Sequence, residues 1–331
     1  VGDCWFLSAL SVLAERKDLI KQIIEYQAHL EEKGAHAVNL CIDGVWQTVL
    51  VDNFLPQKKD AKGIEGFQLA YSRAANQQLW VALVEKAYAK VHGSYEAISG
   101  GYIEEGMFDL TGYPTESIVF DQKDFDSETF WARMLSWNDL GFPMGAGTTY
   151  DPSLRGTGLV ATHAYSILEV KEILAQPGQQ TKIKDYFLVS GAVENAPAKR
   201  SRTGKELLRM VRLRNPWGRT EWNGDWGTSS EKWTKKLQGL LDRGEKNDGT
   251  FWMSYQDFLC RFAEVDVCKA HRNWYSVSFQ SSFYPQQLLS DSCYLFKVSQ
   301  PTWIYFTLVQ RTKRGRGNER FFYSDLSILL F

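Results

Sequence analysis

The beginning of the chain carries a helical pattern of hydrophobic positions. Directly after Asp3, the apolar side chains Phe6, Leu10 and Leu13 recur three and four residues apart, so they fall on one face of a helix. Asp3 is of a residue type that often stands at the N-cap of a helix. The pattern therefore predicts a buried helix that begins beside Cys4.

A hairpin and a second helix follow in the first half of the chain. Two strand-like runs, AHAVNLCI and VWQTVLVD, flank Asp43 and Gly44, and this dipeptide is a strong signal for a two-residue turn. The run LWVALVEKAYAKVH then repeats apolar residues at helical spacing, and Gly93 directly after it is suited to end a helix. The first half is therefore predicted to be rich in helix.

The pattern changes after Gly112, where strand-like runs become frequent. These runs are GFPMGAGTT, HAYSILEV, DYFLVSG and LLRMVRL, followed by a short helix and a strand in SYQDFLCRFAEVDVC. From Trp274 onward, more such runs predict part of an antiparallel β-sandwich, with the basic loop QRTKRGRGNER as a solvated hairpin tip. The chain is thus expected to be an α+β protein with three parts: residues 1–112, 113–269 and 270–331.

Composition and charge narrow the functional classes. The 331 residues are 44% hydrophobic and 23% charged, as in an ordinary globular protein with roughly two or three domains. A net charge of −1 gives no field that attracts nucleic acid, so we expect no nucleic-acid partner. Membrane contact and the oligomeric state stay open.

The cysteines indicate an intracellular protein. Five cysteines are scattered without a CxxC pair, which argues against a zinc site or a disulfide framework. Reduced thiols are typical of the cytosol, so we expect a cytoplasmic location. A secretory signal is the alternative interpretation of the first residues, but Asp3 stands where such a signal has positive charge. We also expect the sequence, which runs from Val1 to the apolar LSILLF, to be a piece of a longer protein.

Three residues combine into a candidate for nucleophilic catalysis. Cys4 begins a predicted helix, where the helix dipole and free N–H groups favour the thiolate. His163 opens the apolar run HAYSILEV and could act as the base, whereas Asn215 in RNPWG could orient its imidazole. Each residue also has a structural interpretation: a buried small thiol, a histidine at the edge of the core, and a turn. The order of an early cysteine with a distant histidine and asparagine favours the catalytic one.

Longer motifs around these residues resemble the calpain family of cysteine proteases. GDCWFLSAL, LWVALVEKAYAKVHGSYEAISGG, HAYSIL, LRNPWGRTEWNGDW and DGTFWMSYQDF are each similar to a block of the calpain core, and they occur in calpain order. HRNWYSVSF onward resembles the start of the calpain β-sandwich, and the first motifs are most similar to the small-optic-lobes branch. The resemblance implies a papain-like core with a helix-rich first lobe and a β-rich second lobe.

The resemblance also implies roles for particular residues. Cys4 is expected to be the nucleophile, His163 the general base and acid, and Asn215 the residue that orients the imidazole. Trp5 and Trp217 are expected to support the site. Gly101 is expected to pair with the substrate backbone in the cleft.

Two departures from the family pattern bear on activity. The family's glutamine, which donates to the oxyanion, belongs at a position before Val1, and without such a donor we expect a rate lower by about a hundredfold or more. Calpains also bind Ca²⁺ in each lobe. Here Glu221 and Asp248 match acidic positions, but Gln78, Thr228 and Thr250 stand where carboxylates are expected. Ca²⁺ affinity depends on charged oxygens, so we expect weakened sites or ordinary surface hydrogen bonds at Glu221 and Asp248.

The sequence therefore predicts an intracellular calpain-like cysteine endopeptidase. It would cut exposed, flexible segments of protein substrates through a thioester intermediate, and its chemistry needs no cofactor. A catalytically impaired calpain-like scaffold or regulatory binding protein is the alternative. Acyl transfer of the transglutaminase kind is disfavoured, because the third residue is Asn215 rather than an aspartate.

Overall fold

Two large hydrophobic cores and a smaller third cluster, which includes Trp226, Trp233 and Trp252, organise the described part of the protein. A computed structural model describes residues 2–59, 67–72, 78–175, 186–188, 207–241, 248–282, 290, 292–315, 323 and 326–328. The first core gathers buried side chains from the first half of the chain, and the second gathers those of a large sheet and the helices packed on it. This arrangement confirms the mixed helical and stranded core that the sequence predicted.

The first lobe consists mainly of helices packed on one hairpin. Helix α5 packs closely against α1 because Gly106 has no side chain, and a Cβ there would lie 3.0 Å from the Cβ of Ala9. The elements are α1 (Cys4–Leu13), α2 (Lys17–Ile23), α3 (Ala28–Glu31), β1 (Ala35–Ile42), β2 (Val45–Asp52), β3 (Gln57–Lys59), β4 (Phe67–Leu69), α4 (Trp80–His92) and α5 (Ile103–Thr111).

The predicted hairpin and its neighbouring helix are confirmed. Strands β1 and β2 pair in antiparallel register, with Ile42 opposite Val45. Asp43 and Gly44 between them have φ of 53° and 75°, the left-handed conformation that a tight hairpin turn needs at both positions. Helix α4 ends at Gly93, whose φ of 100° is readily adopted only by a residue without a side chain.

The second lobe is built around a seven-stranded sheet. Six strands follow one another in the order β10-β9-β7-β6-β11-β5. The seventh, β8, pairs with the end of β7, and each pairing is antiparallel. The elements are β5 (Thr115–Val119), α6 (Ser127–Asp139), β6 (Met144–Gly147), a short 3-10 helix (Pro152–Leu154), β7 (Ala164–Ala175), β8 (Tyr186–Leu188), β9 (Leu207–Arg214), α7 (Lys235–Leu240), β10 (Thr250–Ser254), α8 (Tyr255–Arg261) and β11 (Glu264–Cys268).

Helix α1 lies between the two lobes. One face contributes Phe6, Leu10 and Leu13 to the first core, as its apolar pattern predicted. The same helix also packs against β6 and β7 of the second lobe, where the Ser166 hydroxyl donates to the Ser8 carbonyl over 3.4 Å. The start of α1 is therefore held at the junction between the lobes.

The β-sandwich expected from residue 270 onward stays a prediction. The residues of 270–331 that the structure describes are assigned neither to a helix nor to a strand. The three domain ranges stay predictions. In the described part of the chain, no helix combines the length and the apolarity needed to cross a bilayer.

Candidate active site

Cys4 is the first residue of α1, and backbone N–H groups surround its sulfur. Burial raises the pKa of the Cys4 thiol above its ordinary value, and the negative charge of Asp3 acts in the same direction. Hydrogen bonds from the backbone of Ala164, Trp5 and Cys4 itself lower that pKa. The helix start thus favours the thiolate as expected, but burial outweighs it, and the resting thiol is protonated at neutral pH.

His163 stands at the entrance of β7 and its backbone is fixed on both sides. Its N–H donates to Thr148 Oγ1 over 3.0 Å, and its carbonyl accepts from the N–H of Thr148 over 3.0 Å. The side chain is 4% exposed, and its ring meets the edge of Tyr165 at a centroid distance of 5.1 Å. Because Ala164 follows directly and binds the Cys4 sulfur, the imidazole and the thiol belong to one site.

His163 and Asn215 are hydrogen-bonded to each other in the core. His163 Nε2 lies 3.0 Å from Asn215 Oδ1. The Asn215 Nδ2 group donates to the carbonyl of Arg219 over 2.8 Å and to Thr220 Oγ1 over 2.8 Å, which orients the amide with its oxygen towards the ring. Only a protonated Nε2 can donate to that oxygen. The neutral imidazole therefore has a free lone pair on Nδ1, which can accept a proton.

Trp217 covers this hydrogen bond from solvent. Its ring centroid lies 4.3 Å from that of His163, and its backbone N–H donates to Asn215 Oδ1 over 3.0 Å. The indole itself is 51% exposed. Burial lowers the pKa of His163, and the bond to Asn215 partly opposes that shift. The imidazole is therefore neutral at pH 7, as a general base must be.

Two threonines beside the pair adopt strained backbone conformations. Thr162, which precedes His163, has φ of 51°, and Thr220, which accepts from Asn215, has φ of 62°. A β-branched residue is an outlier in this left-handed region, at a cost on the order of 1–3 kcal/mol each. Such strain is typical of positions where a side chain is held for function.

The Cys4 thiol and the His163 imidazole do not form a hydrogen bond with each other. Among the described residues, the contacts of Cys4 are backbone N–H groups, and the polar ring contact of His163 is Asn215. Catalytic hydrogen bonds are often long or misaligned without substrate. The arrangement supplies a neutral thiol and a neutral imidazole whose orientation Asn215 fixes.

Trp5 and Gly101 lie on the first-lobe side of Cys4. Trp5 is 3% exposed and its Nε1 donates to the Ile98 carbonyl over 3.1 Å, which fixes the SGG segment against α1. A Cβ on Gly101 would come within 2.6 Å of the Trp5 ring and 2.5 Å of an Arg314 nitrogen. The segment at Gly101 is therefore tightly packed.

Arg314 is a contact that sequence reasoning missed. Its guanidinium lies 4.5 Å from the Trp5 ring centroid, donates to the Gly100 carbonyl over 2.7 Å and forms a two-pronged ion pair with Glu105. The predicted solvated hairpin tip is wrong for this residue, whose side chain is 11% exposed. A basic loop has the same composition whether it is solvated or packed against the protein, so no local pattern indicates this contact.

The predicted calcium positions already have hydrogen-bond partners. Glu221 accepts from the hydroxyl of Thr228 and, over 3.2 Å, from the N–H of Gly249. Asp248 accepts from the N–H of Thr250 over 2.9 Å. Ca²⁺ takes about six to eight oxygens. Among the described residues, no three Asp, Glu, His or Cys side chains form a metal-binding group. Weakened calcium sites and ordinary surface hydrogen bonds therefore both stay predictions for Glu221 and Asp248.

Comparison with known proteins identifies the family. The family model described as "Calpain family cysteine protease" matches residues 1–269, which include Cys4, His163 and Asn215. The chain belongs to the calpain family of cysteine proteases. The small-optic-lobes assignment within the calpains stays a prediction.

The curated relatives are larger calpains. Calpain-type cysteine protease ADL1 of rice is 36% identical over 82% of this chain, which covers 11% of ADL1, and DEK1 of maize is 35% identical over the same shares. Mouse calpain-5 is 29% identical over 96% of this chain and 53% of its own length. The chain thus spans about a tenth of the plant relatives and about half of calpain-5.

Proposed function

We propose that the protein is an endopeptidase that cuts protein substrates at exposed, flexible segments through Cys4, His163 and Asn215. The observation that carries this proposal is the buried hydrogen bond from His163 Nε2 to Asn215 Oδ1. The Cys4 thiol at the start of α1 accepts a hydrogen bond from the backbone of Ala164, the residue after His163. Membership of a cysteine protease family supports it. A cytoplasmic location is part of the proposal.

The residues suggest a reaction in two stages. His163 Nδ1 takes the proton of the Cys4 thiol, and the thiolate attacks the peptide carbonyl carbon while the Cys4 backbone N–H stabilises the oxyanion. His163 then gives the proton to the leaving amine, and a thioester remains. Water, deprotonated by the same imidazole, hydrolyses the thioester and restores the thiol. Asn215 keeps the ring oriented throughout.

Labelling with a peptidyl epoxide tests the proposal on the full chain. We expect the epoxide to alkylate Cys4, identified by peptide mapping, in wild type and in a Cys260→Ala control that removes an exposed thiol. Labelling is expected to vanish in Cys4→Ala and to fall strongly in His163→Ala. Parallel reactions with Ca²⁺ and with a chelator measure any dependence on the ion. A folded wild-type protein that is not labelled at Cys4 would contradict the proposal.

The alternative is a calpain-like scaffold without catalysis. The raised pKa of the Cys4 thiol and its lack of a hydrogen bond to His163 are the observations in its favour. The labelling experiment separates the two, because a scaffold has no reason to react at Cys4 in a way that depends on His163.

A further inference from the structure

Two buried carboxyl groups meet next to Cys4. Asp3 is 1% exposed, and Glu85, in the middle of α4, is 0% exposed. Among the ion pairs of the described residues, none includes either group. A buried carboxylate without a cation must obtain hydrogen-bond donors or bind a proton.

The hydrogen-bond donors beside Glu85 reach only one of its two carboxyl oxygens, Oε2. Ser72 donates to Glu85 Oε2 from its backbone N–H over 3.1 Å and from its hydroxyl over 2.5 Å. Glu85 Oε1 and Asp3 Oδ2 are buried, and neither has a donor among the described groups. These two carboxyl groups are hydrogen-bonding partners, and two ionised carboxylates offer no hydrogen to each other. One shared proton satisfies both orphaned oxygens.

The proton belongs mainly to Glu85. The Ser72 N–H can only donate, so Oε2 is an acceptor, and we assign the proton to Oε1, the oxygen that has no donor. Burial foremost, together with the hydrogen bond and the charge of Asp3, raises the pKa of Glu85 to about 9 against the opposing bonds of Ser72.

The surroundings contain three further titratable groups. Tyr71 and Tyr95 stack at a centroid distance of 3.8 Å and line the small cavity beside Glu85 together with apolar side chains. Burial, followed by the charge of Glu85, raises the pKa of Tyr95, so this phenol stays protonated where Glu85 titrates. The third group is the Cys4 thiol, whose pKa the charge of Asp3 raises.

The pair also connects α4 to the start of α1. The Asp3 carbonyl accepts from the N–H groups of Phe6 and Leu7 over 3.0 and 3.1 Å, so Asp3 opens the helix that carries Cys4. Its side chain does not cap that helix, contrary to the role its position predicted. The carboxyl group instead turns into the core towards Glu85.

We propose that Asp3 and Glu85 share one proton, and that Glu85 thereby acts as a positioning residue for Cys4. The shared proton fixes the start of α1 and limits the charge beside the thiol to one. Removal of that proton at alkaline pH adds a second charge and disfavours the thiolate. The link between this positioning role of Glu85 and catalysis rests on the proposed role of Cys4 as the nucleophile.

Infrared titration of the full chain detects the proton directly. We expect a protonated carboxyl band that disappears near pH 9 in wild type and in the exposed control Glu96→Gln, and that is absent from Glu85→Gln. Asp109 and Asp266, whose pKa values burial raises to about 8 and about 7, contribute equally to all three spectra and cancel in the differences. In Asp3→Asn the Glu85 band is expected to titrate at lower pH.

Alkylation of Cys4 by iodoacetamide, followed by mass spectrometry across pH, tests the positioning role. Glu85→Gln preserves the geometry of the protonated acid, so its rate is expected to match wild type near pH 7 within about twofold. At pH 9.5 it is expected to react about threefold faster or more, because no second charge appears. The effects of Asp3→Asn and Glu85→Gln should be non-additive in the double variant.

Either of two results overturns the proposal: no carboxyl group dependent on Glu85 titrates near pH 9, or the alkylation profile of Glu85→Gln superimposes on that of wild type. If Glu85→Gln does not fold, comparison of the wild-type infrared titration with Asp3→Asn decides the matter. Neither readout needs peptide hydrolysis. A failure of epoxide labelling would therefore reject the endopeptidase and leave the shared proton standing.

Discussion

His163 Nε2 lies 3.0 Å from Asn215 Oδ1, although 52 residues separate them in the chain. The bond joins the entrance of β7 to the loop after β9, and those two strands are neighbours in the sheet. Register alone therefore brings the loop of Asn215 to the ring of His163. The orientation of the amide follows from its bonds to Arg219 and Thr220.

Loss of the Asn215 amide should reduce the reactivity of the site. In Asn215→Ala the buried Nε2–H loses its acceptor and the ring loses its orientation. We expect epoxide labelling of Cys4 to slow by about tenfold to a hundredfold, as for a lost hydrogen bond of 1–3 kcal/mol. Asn39→Ala, which removes a half-buried asparagine of the hairpin in the first lobe, is the control. Equal labelling rates in the two variants would show that Asn215 has only a structural role.

Removal of the Trp217 ring should shift the acidic side of the pH profile of Cys4 labelling to higher pH. Burial lowers the pKa of His163, and Trp217→Ala exposes the ring to water, so the pKa should rise towards its ordinary value. A base with a higher pKa becomes protonated at higher pH, and labelling should therefore be lost at a higher pH than in wild type. Trp217→Phe should largely restore the profile. An unchanged acid limb in Trp217→Ala would contradict this account.

A methyl group at Gly101 should be poorly tolerated. The Cβ would lie 2.6 Å from the Trp5 ring, which is fixed by its bond to Ile98, so the segment must shift. We expect Gly101→Ala to reduce the free energy of unfolding by about 1–3 kcal/mol. Gly239→Ala in α7 is the matched control, since its Cβ meets open space and should be neutral or stabilising. Urea denaturation of both variants measures the difference.

Arg314 should support the substrate side of the site. Arg314→Ala removes the bonds to Gly100 and Glu105 and the packing on Trp5, so we expect a loss of about 1–3 kcal/mol in unfolding free energy and a weaker apparent affinity for peptide substrates. Arg314→Lys should recover little, because lysine lacks the planar fork that pairs with a carboxylate. Complete recovery by lysine would show that charge alone matters.

Local patterns were sufficient for many of the elements. The stripe of Phe6, Leu10 and Leu13 predicted α1, and the turn chemistry of Asp43 and Gly44 predicted the first hairpin, because both signals act over a few residues. Helix α6 lies in the part of the chain that was predicted to be rich in strands. Its local sequence nevertheless indicates a helix, because Asp126 caps it and buried side chains recur at helical spacing, namely Phe130, Trp131, Met134 and Trp137.

Histidine burial was harder to infer. His92, the last residue of α4, is 5% exposed, and its ring meets the edge of Tyr88 at a centroid distance of 4.5 Å. Burial lowers its pKa to about 4. Its position at the end of α4 was apparent from the sequence. The chain segment around Gly315, which approaches the His92 carbonyl, was not.

The sequence by itself determined the family, the order of Cys4, His163 and Asn215, and the helix that carries the thiol, because motifs and hydrophobic periodicity are local properties. Only the tertiary structure decided which groups meet across the core. It placed Glu85 against Asp3 and Arg314 against Glu105, and it raised the pKa of the Cys4 thiol despite the helix dipole. Burial and pairing depend on residues far apart in the chain, and their balance sets the charge of every group at this site.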